Sequence, residues 1–260
     1  MVDKLDFNKI KEELNSNIKA YVLESVDSTN TFSKMIIDSE DKQSFIVVSE
    51  EQTNGRGRLG RSFYSPKHNG VYLSFCYKLK ELNESVATIT TLTACVVTKI
   101  IEELIKKELK IKWVNDIYFN DKKVCGILTE SKIKDDQCYI IIGIGINVFE
   151  NSFPKELEDI AIALNEDNVS RNKLIVNISN ELYNYLSNDY YLQEKVKKEY
   201  IDFYRSHSNV IGKNIIYYVD GYKKNGIAID VNDKGELIVL NEDKKEDILR
   251  TGEITIRVVK

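Results

Sequence analysis

The sequence predicts an α+β fold, with a mixed or antiparallel sheet, helices on one side of that sheet, and a small β-barrel at the end of the chain. Three observations support this prediction. Residues 84–109 carry one apolar stripe at helical spacing. Residues 111–148 alternate short apolar runs with tight turns, which implies antiparallel strands. Beyond residue 210 the helical period disappears and short strands alternate with turns, so we predict one domain at 1–209 and a second at 210–260.

The remaining elements follow from apolar periodicity and from the residues that bound each run. Helices are predicted at residues 6–15, from about Thr31, at 84–109 and at 172–205. The segment Asp27-Ser28-Thr29-Asn30 can cap the second of these helices, and Ser170 can cap the last. Strands are predicted at 20–23, 44–50, 71–77, 111–113, 117–119, 124–133 and 138–148.

Composition excludes several classes of protein. The 260 residues are 42% hydrophobic and 30% charged, which is ordinary for a globular domain. No apolar run approaches the length of a membrane span, so we expect no membrane partner and a cytoplasmic location. Because the cysteines are scattered and the only histidines are His68 and His207, we expect no zinc site. We expect buried, reduced thiols at the four cysteines, Cys76, Cys95, Cys125 and Cys138.

The segment 55–61, Gly-Arg-Gly-Arg-Leu-Gly-Arg, is the densest functional signal in the chain. Glycine lets the backbone approach a ligand closely, and arginine offers fixed forks of donors that match carboxylate and phosphate oxygens. Without an anion, glycine entropy and repulsion between the arginines should leave the segment mobile. We therefore predict a loop that closes on an anionic ligand.

Other interpretations of the glycine motifs compete with this one. A solvated basic loop is the usual fate of a short charge run, and an Arg-Gly contact to nucleic acid is disfavoured by the net charge of −4 and by the lack of repetition. A P-loop would run straight into a helix, whereas Phe63-Tyr64-Ser65-Pro66 follows here. The pattern Gly143-x-Gly145-x-Asn147 lies inside a strand and lacks the third glycine of a dinucleotide fingerprint.

Four motifs, in this order, resemble those of the biotin protein ligase family. They are Asp27-Ser28-Thr29-Asn30, the loop at 55–61, Lys112-Trp113-Val114-Asn115-Asp116, and Gly143-Ile144-Gly145-Ile146-Asn147. The similarity continues through Gly252-Glu253-Ile254, so the resemblance implies a biotin/lipoate ligase-like catalytic domain and an SH3-like C-terminal barrel. Regulatory members carry an N-terminal DNA-binding domain, and only 26 residues precede Asp27 here. We therefore expect the ligase-only form and no DNA partner.

The resemblance also implies a two-step reaction. Biotin and ATP, with Mg²⁺, form biotinyl-5′-AMP, and a lysine of a biotin carboxyl carrier protein or domain then attacks the mixed anhydride. The biotin carboxylate and the triphosphate repel each other, so cations held between them would lower the barrier to their reaction.

The family pattern carries over to individual residues. Those expected to contact biotin are Ser28, Thr29, Asn30, Gln52, Gly55, Arg56, Gly57, Arg58, Lys123 and Gly126. Those expected to contact the nucleotide are Arg58, Arg61, Phe63, Lys112, Asn115, Asp116, Asn147 and Arg257. Catalytic roles are expected for Lys123, Arg58 and Asp116, with Mg²⁺ at Asp116. Taken alone, Asn115-Asp116 would be a hairpin turn more often than a metal site, and Lys123 a solvated lysine.

The chain departs from the family pattern at two positions, and other functions compete with ligation. Val114 stands where the family usually has proline, and Phe63 stands where tryptophan commonly covers adenine; His68 has no assigned role. A lipoate-type ligase or acyltransferase shares the fold but would need an aliphatic tunnel, which the Ser-Thr…Gln set suits poorly. A biotin-sensing regulator and a degenerate binding module also compete with the ligase. The sequence does not decide the acceptor carboxylase or whether the chain forms a homodimer.

Overall fold

The computed structural model describes residues 3–40, 43–80, 86–149, 153–219 and 222–250, together with the backbone of 257–258. The helices are α1 (Phe7–Glu13), α2 (Thr29–Ser39), α3 (Val86–Ile105), α4 (Arg171–Leu186) and α5 (Glu194–His207). The first seven strands are β1 (Lys19–Leu23), β2 (Ser44–Ser49), β3 (Gly70–Leu79), β4 (Lys110–Lys112), β5 (Asp116–Phe119), β6 (Lys122–Lys134) and β7 (Gln137–Asn147). The last five are β8 (Asn214–Val219), β9 (Tyr222–Val231), β10 (Leu237–Asn241), β11 (Glu246–Leu249) and β12 (Arg257–Val258).

The large sheet is mixed, as predicted. Its seven strands lie in the order β1-β2-β3-β7-β6-β5-β4. Strands β1 and β2 are parallel because α2 carries the chain back between them, and every other neighbouring pair is antiparallel. The tight turns at Asn120-Asp121 and Asp135-Asp136 have left-handed backbone, with φ values of 48° and 61° in the first turn and of 47° and 62° in the second. Asn and Asp tolerate this conformation better than other non-glycine residues do.

Helices cover both faces of this sheet, so the prediction of helices on one side is wrong. Alternate residues of β2 belong to different apolar clusters: Ile46 to the cluster that includes residues of α1, α3, α4 and α5, and Val47 to the cluster that includes residues of α2. Strand β7 divides in the same way between Ile140 and Ile141. Central strands buried on both faces are apolar without alternation, and such a run does not reveal which face a given helix will cover.

The predicted helix 172–205 is two helices, which corrects that prediction. Helix α4 ends at Leu186, and a 3₁₀ turn follows at Ser187–Leu192, where Asn188 and Asp189 have φ values of 56° and 55°. Ser170 stands at the N-cap position of α4, but its side chain makes no capping hydrogen bond. The carboxylate of Asp3 accepts from the Arg171 backbone N–H instead. The other predicted helices and strands lie within a few residues of their observed limits, apart from the start of helix 84–109, which falls outside the described residues.

The second sheet has five antiparallel strands in the order β11-β10-β9-β8-β12 and packs against the first part of the chain. The indole Nε1 of Trp113 donates to the Gly235 carbonyl at 2.9 Å. Gly235 has a φ of 75°, and a Cβ there would lie 2.4 Å from the Thr91 hydroxyl on α3. Arg205 of α5 pairs with Asp230 of β9 at 2.8 Å. The turn between β9 and β10 therefore anchors this sheet beside the β4–β5 connection.

The cysteines are free, as expected for reduced thiols. Three of them are buried, and Cys138 is only partly buried. Burial raises the pKa of the Cys76 thiol to about 12, which keeps it protonated and unreactive at neutral pH. Across the described residues, no helix is both long and apolar enough to cross a membrane.

Candidate functional site

Strand register assembles the floor of a cleft on the α2 face of the large sheet. Across β6 and β7, Gly126 pairs with Gly145 and Leu128 with Gly143. Because side chains alternate between faces, the three glycines leave this part of the sheet surface bare. The cleft above it contains about 470 Å³ of empty space, part of which is open to solvent. Its lining comprises Ser28, Thr29, Asn30, Gln52, Arg56, Gly57, Arg58, Phe63, Leu73, Asn115, Lys123, Gly126, Ile127, Leu128, Gly143, Ile144 and Gly145.

One end of the cleft is built from neutral polar side chains at the start of α2. Ser28 is the N-cap of that helix, and its hydroxyl accepts from the Thr31 backbone N–H at 3.4 Å. The Gln52 Oε1 accepts from both the backbone N–H and the hydroxyl of Thr29, at 2.9 and 3.0 Å. The Gln52 amide donates to Ser65 at 2.9 Å. These bonds orient the Thr29 hydroxyl, whose oxygen also accepts from the buried Ser74 hydroxyl at 2.8 Å, so that one lone pair of the Thr29 oxygen remains as an acceptor.

Hydrogen bonds also fix the side chain of Asn30, which follows Thr29 in the first turn of α2. Its Oδ1 accepts from the buried Ser74 hydroxyl at 2.6 Å, and its Nδ2 donates to Glu130 at 2.9 Å. A Cβ at Gly143 would lie 2.4 Å from the Asn30 Oδ1, so only glycine admits the amide at this position. Asn30 is therefore fixed between strands β3 and β6, with no freedom to flip.

Phe63 and Lys123 lie over the bare strip of the sheet. A Cβ at Gly145 would lie 2.5 Å from the Phe63 ring, and a Cβ at Gly126 would lie 3.0 Å from the Lys123 Nζ. The Lys123 ammonium is 6.0 Å from the centroid of the Phe63 ring. Both residues line a second cleft as well, so they lie where the two clefts adjoin.

The second cleft is strongly cationic. It is lined by Gly57, Arg58, Leu59, Arg61, Ser62, Phe63, Lys112, Trp113, Asn115, Asp116 and Lys123. Burial lowers the pKa of Arg58 and of Lys112, and the nearby carboxylate of Asp116 offsets part of both shifts. Four cations facing one carboxylate make a site for a polyanion such as a triphosphate.

Asp116 is engaged by its neighbours. Its Oδ1 lies 2.7 Å from the Lys123 Nζ and accepts from the Asn115 amide at 3.1 Å. The Asn115 Oδ1 in turn accepts from Arg58 at 2.8 Å. Within the described ranges, no three His, Cys, Asp or Glu side chains cluster as metal ligands. A single carboxylate fits Mg²⁺ only where phosphate oxygens and water supply the other ligands.

The glycine-arginine loop forms a small hairpin beside both clefts. Arg56 and Ser62 face each other across an antiparallel bridge, and the loop tip is a 3₁₀ turn at Arg58–Gly60. Leu59 and Gly60 are left-handed there, with φ values of 56° and 73°. No α-helix follows the loop, which agrees with rejection of a P-loop. Its predicted mobility without an anion stays a prediction.

Some predicted site residues lie apart from the two clefts. Asn147, at the end of β7, uses its amide to donate to the Ile162 carbonyl at 3.2 Å. Gly55, the first residue of the loop, is buried, and a Cβ there would lie 2.4 Å from the Phe63 carbonyl. The Arg257 side chain and Gly252-Glu253-Ile254 lie outside the described residues. His68, without a predicted role, contacts the Glu50 carboxylate at 3.1 Å.

The sequence motifs did not indicate three residues that support the site. Ser65 orients Gln52, Ser74 orients Asn30, and Glu130 contacts both Asn30 and Arg56. The serines look like ordinary strand or loop residues, and Glu130 looks like the polar position of an alternating strand. Only strand pairing brings them to the cleft, so no local pattern in the sequence could have indicated them.

Comparisons with known proteins agree with this arrangement. Residues 22–147 match the model of the Biotin/lipoate A/B protein ligase family. The chain is 38% identical over 144 residues to the bifunctional ligase/repressor BirA of Bacillus subtilis, covering 54% of this chain and 44% of that protein. It is 26% identical over 205 residues to the biotin--[acetyl-CoA-carboxylase] ligase of Mycobacterium tuberculosis, covering 76% of this chain and 73% of that protein.

A solved structure is similar over nearly its whole length. Biotin protein ligase from Aquifex aeolicus in complex with biotin and ATP superposes with a TM-score of 0.78 at 28% identity, covering 93% of this chain and 99% of that one. By contrast, the alignment with the Bacillus protein spans less than half of that relative's length.

Proposed function

We propose that this chain, whose residues 22–147 match the model of the Biotin/lipoate A/B protein ligase family, is an ATP-dependent biotin protein ligase. It forms biotinyl-5′-AMP and then transfers biotin to a lysine of a biotin carboxyl carrier domain. One observation carries the proposal: a cleft with a neutral polar end (the neutral cleft) and a cationic cleft meet at Arg58, Phe63 and Lys123. A small neutral ring and a triphosphate can thus be held with their reacting ends together.

The neutral cleft suits the ureido ring of biotin. The oriented Thr29 oxygen can accept from a ureido N–H, while the Ser28 hydroxyl remains able to donate to the ureido carbonyl. An aliphatic lipoyl chain would leave both groups unpaired, which costs binding energy in a desolvated site. The apolar residues Leu73, Ile127 and Ile144 line the same cleft and suit the rest of the biotin molecule.

The cationic cleft suits the first chemical step. A biotin carboxylate oxygen attacks the α-phosphorus of ATP, the bond to the bridging oxygen breaks, and pyrophosphate leaves. Lys123 lies at the junction of the clefts, where it can neutralise both the carboxylate and the α-phosphate. Arg58, Arg61 and Lys112 can hold the phosphates. Lys123 would exchange its ion pair with Asp116 for the substrate anions.

Mg²⁺ would be held at Asp116 together with phosphate oxygens, and there it would supply neutralisation of phosphate charge. In the second step the acceptor amine attacks the acyl carbon and AMP leaves. Exclusion of water by the loop protects the mixed anhydride until the acceptor arrives.

Other parts of the chain complete the proposal. We assign the five-stranded sheet to an SH3-like barrel, with domains at 1–209 and 210–260; antiparallel pairing throughout that sheet supports this assignment. Arg257 would contact the nucleotide from β12. Asn147 would reach the ribose or adenine only by releasing the Ile162 carbonyl. The name of the Mycobacterium relative supports a carboxylase carrier domain as the acceptor, and a cytoplasmic location and a homodimer are further expectations.

The decisive experiment is biotin-dependent exchange between ATP and labelled pyrophosphate. We expect exchange with biotin and none with lipoate or without either acid. Mass spectrometry of a carrier domain incubated with the chain, ATP and each acid should then find biotin on one lysine. Exchange or transfer with lipoate alone would replace the proposal with a lipoate-type ligase, and binding of biotin without exchange would indicate a binding module or regulator.

A further inference from the structure

Two arginines of the loop at 55–61 make side-chain hydrogen bonds to residues outside the loop. Arg58 donates to Asn115 beside the cationic cleft, at 2.8 Å. Arg56 reaches the opposite way and pairs with Glu130, Nη2 to Oε1 at 3.2 Å and Nη1 to Oε2 at 3.5 Å. Glu130 lies on β6, 74 residues further along the chain, and nothing in the reaction proposed above uses it.

Glu130 is the meeting point of three parts of the fold. Its Oε1 also pairs with Lys34 of α2 at 2.7 Å, and its Oε2 accepts from the Asn30 amide at 2.9 Å. The Glu130 side chain is 19% exposed, against 41% for Arg56 and 30% for Lys34. One largely buried carboxylate therefore joins the neutral cleft, through Asn30, to the loop that borders it, through Arg56.

The charges in this cluster indicate which contact can open. Burial alone would raise the pKa of Glu130, but hydrogen bonds from Lys34 and Asn30 and the charges of Lys34 and Arg56 lower it overall. Glu130 thus stays ionised whether or not the loop is closed, because Lys34 remains beside it. Arg56 is the most exposed of the three partners. It lies in a loop, whereas Lys34 and Asn30 lie in helix α2.

We propose that Glu130 is a positioning residue that docks the loop over bound biotin by holding Arg56, separately from the contact that Arg58 makes at the nucleotide end. This inference rests on the proposed function for its ligand, biotin. The Asn30 amide, which lines the biotin cleft, and the Arg56 guanidinium of the loop both bind the Glu130 carboxylate. Each of them therefore helps to hold the other in place. Biotin alone should then order the Arg56 end of the loop.

The test compares Glu130→Gln, Arg56→Gln, their combination and the control Lys34→Gln. Lys34→Gln removes the other ion pair of Glu130 but leaves the loop contact. If Glu130 docks the loop, Glu130→Gln and Arg56→Gln should each raise the dissociation constant for biotin about three- to five-fold, the scale of a partly exposed ion pair. The double variant should be no worse than the more affected single variant. Lys34→Gln should not weaken biotin binding, and KM for ATP should stay within about two-fold of wild type in every variant, since the nucleotide cleft is untouched.

A second measurement does not depend on the ligand. Amide exchange across 55–61 in the protein alone should be faster in Glu130→Gln and Arg56→Gln than in wild type or Lys34→Gln, at equal thermal stability. Equal effects of Glu130→Gln and Lys34→Gln would mean that Glu130 only fastens α2 to β6, and additive losses in the double variant would also overturn the proposal. Failure of the wild type to bind biotin would instead contradict the proposed function. Amide exchange in the loop would still decide whether Glu130 docks the loop.

Discussion

Lys123 forms an ion pair with Asp116 and also lies where it can contact the substrate anions. Its ammonium pairs with Asp116 at 2.7 Å, and its side chain is 32% exposed. The backbone is fixed on both sides, because its N–H donates to the Ile160 carbonyl and its carbonyl accepts from Ile162. The end of the side chain can therefore change partners while the residue itself stays in place. A partly exposed ion pair of this kind adds little to stability, so its chemical and structural roles can be separated.

Lys123→Gln should lower adenylate formation far more than it lowers stability. Loss of the cation removes stabilisation where two anions meet, whereas the lost ion pair is worth at most about 1 kcal/mol. Single-turnover adenylate formation and thermal unfolding measure the two effects. The neighbouring Lys122→Gln is the matched control, since Lys122 donates to the Glu158 carbonyl away from the clefts. Parallel catalytic and thermal losses in Lys123→Gln would assign it a structural role.

Asp116→Asn should reduce pyrophosphate exchange by about 10²-fold, the scale of one electrostatic stabiliser. It should also raise the Mg²⁺ concentration needed for half-maximal exchange, because the amide is a poorer ligand than the carboxylate. Biotin affinity without ATP should change little. Exchange titrated against Mg²⁺, with biotin binding measured separately, tests this prediction; unaltered exchange would leave Asp116 as a turn residue only.

At the scale of elements, the loop at 55–61 and helix α2 border the same cleft. Helix α2 begins at the cleft because Ser28 caps it there, which presents Thr29 and Asn30 in its first turn. The loop returns on itself through the Arg56–Ser62 bridge, which places Arg58 at its tip. A rigid helix thus offers the groups that recognise the ligand, and a hairpin offers the groups that retain it.

Arg58→Gly should leave adenylate formation in place but let the adenylate escape. Loss of the charge-assisted contact to Asn115 corresponds to about 1.5–3 kcal/mol, or ten- to a hundred-fold weaker retention. Escaped adenylate reacts with any exposed amine, so serum albumin incubated with the variant, biotin and ATP should be biotinylated. Arg58→Ala separates the lost charge from added glycine flexibility. If an adenylate-competent variant labels albumin no more than wild type does, Arg58 does not retain the intermediate.

At the scale of the whole molecule, a buried ion pair ties distant segments around the end of β2. Arg171 at the start of α4 is fully buried and pairs with Glu50 at 2.8 Å. Arg171 also donates to the Asp3 and Gly70 carbonyls, and Glu50 accepts from the Leu5 backbone N–H. The N-terminal segment, the strand that leads to Gln52 and the strand that follows the loop are held together at this point.

Glu50→Gln should cost about 3–5 kcal/mol, because it leaves a buried guanidinium without its counter-charge. Although burial would raise the pKa of Glu50, Arg171, Leu5 and His68 lower it overall. A lowered pKa means that this stabilisation is complete above the ordinary value of about 4.5 and is lost as the pH falls through the folded value. Wild-type stability should therefore drop in that acidic range, and the variant should lack this component of the drop.

Urea unfolding between pH 3 and 7 measures both effects. Glu51→Gln is the matched control, since it makes the same chemical change at the next, only partly buried residue. A Glu50→Gln protein as stable as this control at pH 7 would show that the buried pair does not hold these segments together.

The sequence alone determined the features that depend on neighbouring residues. Apolar runs placed the strands, the spacing in α3 placed that helix, and short turns required antiparallel pairing from β4 to β7. The glycine-arginine loop and the motifs around Ser28, Asn115 and Lys123 also stood out, because each lies within a few residues and its chemistry is local. These residues line the two clefts that the structure describes.

Tertiary structure alone decided the rest. The face of the sheet that α2 covers depends on packing, since β2 and β7 are apolar on both faces. The break between α4 and α5 depends on two left-handed residues that the helical period does not reveal. Glu130 of β6 meets Arg56 of the loop and Lys34 of α2 only because strand register and packing bring these three segments together. Contacts between residues that are distant in the chain follow from strand register and packing, and no local pattern encodes them.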